Sequence, residues 1–183
     1  MFNIDTIVLE IKSAVLEAYI HDNAMEWGVD ISAATAAGDN LQWKVKVNSE
    51  SLFSTGINQL GYWQDIVGIQ FSWEEPLNKD EDPHALMYLC QHEPVYASEG
   101  KLYLNEHQMV CIDWSGKCDI YWNDKYHTGL SFLIDTPVTF KGIWFGRDAE
   151  SVCRKALSQY ITKEIFIYSS ERNVSLMKPR KST

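Results

Sequence analysis

The sequence contains no Cys-x-x-Cys pair, no Gly-x-Gly-x-x-Gly, no Walker loop and no Gly-x-Ser-x-Gly elbow. Each absence removes a common class of function. Without closely spaced thiols, a zinc knot or a thioredoxin-like centre has no framework. Without the glycine loops, phosphate cradling loses its usual backbone. Without the elbow, the commonest serine hydrolases drop out. No apolar run approaches the roughly 20 residues of a membrane helix. The start, MFNIDTIVLE, lacks the basic region and small-residue cleavage site of a secretory signal. The chain is therefore expected in the cytoplasm, with Cys90, Cys111, Cys118 and Cys153 as free, buried thiols. Cys111 and Cys118 flank IDWSGK, which reads as a hairpin turn that would bring them together across two strands.

What is present is a chain of 183 residues, 45% apolar and 22% charged, enough for one domain with a substantial core. Ile4, Ile7, Val8, Ile11, Val15, Ala18 and Tyr19 recur at helical spacing, which predicts an amphipathic helix over 4–20, with Leu9 and Leu16 on its other side. Two stretches alternate instead. LQWKVKVN and IVGIQFSW turn Leu41, Trp43, Val45, Val47 and Val67, Ile69, Phe71, Trp73 to one side, as half-buried antiparallel strands do. SESLFSTGINQLGYW then reads as a long connection between them. From residue 101, KLYLN, QMVCIDW, CDIYW, GLSFLID and VTFKGIWF predict a meander. RDAESVCRKALSQYITKE returns to helical spacing, with Asp148 as N-cap and Val152, Ala156, Leu157, Tyr160 and Ile161 on one face. The expected fold is α+β: a mainly antiparallel sheet packed by an N-terminal and a C-terminal helix. Residues 1–170 form the domain, and 171–183 a basic, flexible tail.

Charge is unevenly spread. Residues 1–100 carry sixteen acids against four lysines, a net of −12; residues 101–170 balance; ERNVSLMKPRKST carries +3. The overall −9 disfavours nucleic acid, whose binding depends on neutralising phosphates, and favours encounter with a basic protein. The densest acid lies in EEPLNKDEDPH, residues 74–84, with five carboxylates and one lysine in nine positions.

Few residues suggest bond-making chemistry. Asp80, Asp82, His84, Cys90, His92 and Glu93 are of metal-ligating types, but their spacing fits no closed motif, and no metal or other cofactor is expected. His107 with Asp113, and His127 with Asp124, are the candidate acid–base pairs. Cys111 or Cys118 could serve as a nucleophile only with a neighbour that lowers its pKa. Trp27, Trp63 and Trp114 lie near expected element ends, where an indole is either core or an anchor for a partner.

The stretch CDIYWNDKYHTGLSFLIDTPVTFKGIWFGRDAESVCRKAL, strands followed by a helix, resembles the bacterial immunity proteins that neutralise polymorphic or contact-dependent toxins. That resemblance implies a small acidic inhibitor, not an enzyme, which binds a basic toxin domain such as a nuclease and blocks its active site or substrate surface. The contact residues expected on charge and position are Glu74, Glu75, Asp80, Glu81 and Asp82, with Trp63 as aromatic anchor. Nucleic acid and membrane are not expected partners. The alternatives are a small enzyme whose site gathers His107, Asp113 or Cys111 from the meander, and an acidic secretion chaperone.

Overall fold

Where helical spacing predicted an N-terminal helix, the computed structural model has the longest strand of the fold. The structure describes residues 1–21, 24–35, 44–89, 91–121, 128–171 and 174–180. In chain order the first strands are β1 (Phe2–Ile4), β2 (Ile7–His21), β3 (Ala24–Ala34) and β4 (Lys44–Thr55). A 3-10 turn, Trp63–Ile66, precedes β5 (Gln70–Trp73), β6 (Leu86–Tyr88), β7 (His92–Pro94), β8 (Tyr96–Leu104) and β9 (Val110–Cys118). Then follow β10 (Leu130–Pro137), β11 (Thr139–Phe145), α1 (Glu150–Leu157), β12 (Phe166–Glu171) and β13 (Val174–Pro179). The fold is thus mostly β, a curled, largely antiparallel half-barrel with one short α-helix among the described residues. The α+β expectation of a sheet packed by two terminal helices is overturned.

The reason lies in β2. Its inward residues are Leu9 and Ile11, then Ala14, Leu16, Ala18 and Ile20. The register slips between Ile11 and Ser13, so Lys12 is an extra residue opposite β3. A β-bulge of this kind moves the inward set from odd to even positions, and the broken alternation imitates helical spacing. Leu9 and Leu16, placed behind the expected helix, are core residues, and Val8 is 68% exposed. A second slip, between Trp27 and Val29, puts two extra residues into β4 and interrupts its alternation there without changing which parity faces inward. SESLFST is therefore mostly strand and not connection.

The strand order runs β5-β8-β9-β10-β1-β2-β3-β4-β6-β7. β2 holds it together. Along one edge β2 pairs first with β1 and then, parallel, with β11; along the other it pairs with β3. β11 carries β13 and β13 carries β12, so Val174–Pro179 is an internal strand with Leu176 and Met177 fully buried. That strand lies inside the stretch 171–183 expected as a tail. At the inner face Trp27 and Trp114 are fully buried. Trp27 meets Phe53 and Phe140, and Trp114 meets Phe71, Trp73 and Phe132.

Three further expectations change. SGK is not a turn: Ser115–Lys117 lies inside β9, and Gly116 is there because a Cβ would come within 2.8 Å of the Phe132 ring. Cys111 and Cys118 therefore sit seven residues apart on one strand, roughly 23 Å at strand rise, and cannot pair. Asp119–Tyr121 of CDIYW is not strand. The C-terminal helix is only Glu150–Leu157, begins after Ala149 and gains no side-chain cap from Asp148. The Asp148 carbonyl instead accepts from Ser175 and Tyr168 in β13 and β12. Of its expected face, Leu157, Tyr160 and Ile161 are buried while Val152 is 51% exposed. Among the described residues no helix is long and apolar enough to cross a membrane.

Candidate functional site

The acidic stretch is built from both its ends. It leaves β5, at one end of the strand order, and enters β6, next to the other end. Three bonds anchor it at the base. Ala97 N–H donates to the Glu74 carbonyl at 2.9 Å, His84 N–H to Pro76 at 3.2 Å, and the Ser49 hydroxyl to the His84 carbonyl at 2.7 Å. Trp73 seals that base. Its indole N–H donates to the Val95 carbonyl at 2.9 Å, and its ring stacks on His84 at 5.1 Å.

Asn78 fixes the tip. Its side-chain oxygen accepts from the backbone of Asp80 at 2.8 Å and of Asp82 at 3.0 Å, and its own N–H donates to the Asp82 carbonyl at 2.8 Å. Asparagine suits this place because its short amide copies a backbone acceptor. Glu81 follows with φ of 67°, in the left-handed region. With the backbone groups satisfied inside the loop, the side chains are left outside. Glu74, Glu75, Asp80, Glu81 and Asp82 are all exposed, and no ion pair among the described residues engages them. Leu77, 44% exposed, stands among these acids as an apolar contact that the sequence reading did not single out.

Beside the loop, β5, β8 and β9 line a groove of about 440 Å³ on the outer face. Glu99, Lys101 and Asp113 supply its charge and Gln70, Ser72 and Ser115 its neutral polar groups. Lys101 lies 3.5 Å from Asp113. Glu99 is the register partner of Ser72, two residues before Glu74, so the groove and the acidic loop adjoin along β5. The alternation that marks β5 as a strand could have identified Ser72 as outward-facing, but Glu99 emerges only from the pairing.

The other singled-out residues scatter. Trp63 is half-buried, stacks on Phe140 at 4.7 Å and donates its backbone N–H to the Glu164 carboxylate at 3.0 Å. It belongs to the Trp27 ring cluster, whereas Trp73 of the loop base belongs to that of Trp114. Trp27 and Trp114 are core, so neither is a surface anchor.

His107 sits in an exposed turn with its ring nitrogen 3.4 Å from Glu106, away from the groove that holds Asp113. Cys111 is buried beside Tyr103, and burial pushes its thiol up, the wrong direction for a nucleophile. Cys118 is pushed up to about 12 by burial, with Asp119 and Glu93 adding to it. Trp43, Cys90, Trp122, Asp124 and His127 lie outside the described residues. Among the described residues no three His, Cys, Asp or Glu side chains converge as metal ligands.

One buried pair was not foreseen. Glu93, 4% exposed, has its carboxyl raised by burial and then by Asp119. Burial raises Asp119 too, but hydrogen bonds from the Tyr96 hydroxyl at 2.7 Å, Gly129 N–H at 2.7 Å and Tyr121 hydroxyl at 2.8 Å outweigh it and leave Asp119 lowered. Two carboxyls pushed apart can divide acid and base roles, but neither lines the groove beside the acidic loop.

No protein-family model, no curated protein and no solved structure matches the chain.

Proposed function

We propose that the chain is a binding inhibitor of a basic protein, in the manner of a bacterial immunity protein that neutralises its cognate toxin in the cytoplasm. The observation that carries this reading is the pinned acidic loop, with five exposed carboxylates in nine positions on a backbone satisfied by Asn78 and by β8. A fixed array of charge loses less conformational freedom on binding than a mobile one. It also steers an oppositely charged partner at rates that fall with salt. Glu74, Glu75, Asp80, Glu81 and Asp82 meet lysines and arginines that a nuclease domain presents to its own substrate. Glu99 and Asp113 extend the acidic surface into a groove able to take one basic side chain. Leu77 supplies an apolar contact among the acids.

The test is kinetic. Reversing Glu75, Asp80 and Asp82 to lysine is expected to slow association with the captured partner by about tenfold to hundredfold at low salt. It should also flatten the dependence of that rate on ionic strength, with dissociation changed far less. Unchanged association would remove the loop from the interface.

A further inference from the structure

A second recess lies on the outer face of the β3, β4, β6 and β7 strands and is chemically unlike the acidic loop. Ser13, Ser32, Lys46, Tyr88 and His92 are successive register partners from β2 to β7. Directly opposed residues point to the same side of a sheet, so these five form one continuous polar row. The Ser13 and Ser32 hydroxyls lie 2.7 Å apart. The Lys46 ammonium lies 5.8 Å from the centre of the Tyr88 ring, and the His92 ring meets Tyr88 edge-on at 4.1 Å.

Two more cations join the row. Lys44 is two residues from Lys46 and so shares its side of β4. Lys12 is the extra residue of the β2 bulge, and bulges re-aim side chains in this way. Together they border a recess of about 590 Å³ that Ala34 also lines from the same side, while Ala33 and Val45, buried on the core face, reach it only at the strand backbone. That volume falls in the range of small-molecule sites.

Its charge runs against the rest of this half of the chain. Three of the four lysines in residues 1–100 gather here, among sixteen acids. Glu10 holds Lys12 at 2.6 Å and Asp30 holds Lys46 at 2.7 Å, but neither carboxylate lines the recess. Lys44 is exposed and has no carboxylate partner among the described residues. With Lys12 and Lys46 each matched by a carboxylate, Lys44 is the charge beside the hollow that an anion would compensate.

We propose that this recess binds a small organic anion. Its phosphate or carboxylate group bridges Lys44 to Lys12 and Lys46, and its flat apolar body lies on Tyr88, His92 and Ala34. A recess of about 590 Å³ leaves room for such a body beside the oxyanion.

Titration of the isotope-labelled full chain by NMR tests this, with inorganic phosphate, citrate and adenosine monophosphate as separate probes. Saturable shifts are expected at the Ser32, Lys44, Lys46 and Tyr88 amides, with the nucleotide binding at least about tenfold tighter than phosphate because its ring adds contact. Lys44→Ala, a change at an exposed side chain, should weaken all three by about tenfold. Tyr88→Ala should remove the advantage of the nucleotide over phosphate. No saturable response to any probe at millimolar concentration would overturn the site. Equal affinity for phosphate and nucleotide, or affinities unmoved by Lys44→Ala, would overturn the assigned mode of binding.

Discussion

Asn78 and Glu93 show how far single side chains decide the character of this protein. Asn78 turns a run of like charges, which would repel itself open, into a closed loop by giving two backbone N–H groups an acceptor. Its position four residues before Asp82, in a stretch bounded by Pro76 and Pro83, is a turn signal legible in the sequence. Glu93 carried no such signal, because its burial follows from how β7 folds against β6. Its raised carboxyl means that the folded state holds the proton more tightly than the unfolded chain does. The stability that Glu93 contributes is therefore complete below the ordinary carboxyl range and is lost as pH rises through the raised folded value. Glu93→Gln removes that loss. Its melting temperature is expected to exceed the parent's at pH 7.5. The gap should close towards pH 4. Thermal melts at the two pH values check this, and an equal gap at both would contradict it.

At the scale of elements, period two was readable wherever a strand runs without interruption. Lys44, Val45, Lys46 and Val47 alternate in the sequence and alternate in burial. The failures are local and share one cause. Where Lys12 bulges from β2 the inward parity changes mid-strand, and where β4 carries two extra residues between the partners of Trp27 and Val29 the alternation is interrupted, so in both places the pattern ceases to name a strand. Ile4, Ile7, Val8, Ile11, Val15 and Ile20 were a counter-signal, since β-branched residues favour strands over helices. Gly116 misleads for a different reason, being a space for the Phe132 ring and not a turn. The C-terminal stretch was hidden by its charge. ERNVSLMKPRKST is basic, but Leu176 and Met177 are two buried apolar residues among its cations, and β13 bridges β11 to β12. Deleting residues 174–183 is expected to cost about 5 kcal/mol or more, the sum of two large core side chains and a strand's pairing, enough to abolish a cooperative melt. A truncated chain melting within a few degrees of the full one would show that β13 adds little.

Over the whole molecule, the curled sheet brings its two ends near enough for one loop to span them, and that loop carries the densest negative charge. The charge polarity was visible in the sequence, and the loop residues were found by it. What composition could not show is that the acids stand on a closed, hydrogen-bonded frame, or that Glu99 and Asp113 continue the surface into a groove. Three of the four lysines of the first hundred residues gather instead at the recess beside β4 and β7. The most direct measurement is a paired affinity capture from the cell of origin, with the native chain and a variant in which Glu74, Glu75 and Glu81 become Gln and Asp80 and Asp82 become Asn. The account predicts that one basic protein is recovered in near-stoichiometric amount by the native chain, is released by rising salt and is lost with the variant. Equal recovery by both chains, or no basic protein with either, would contradict it.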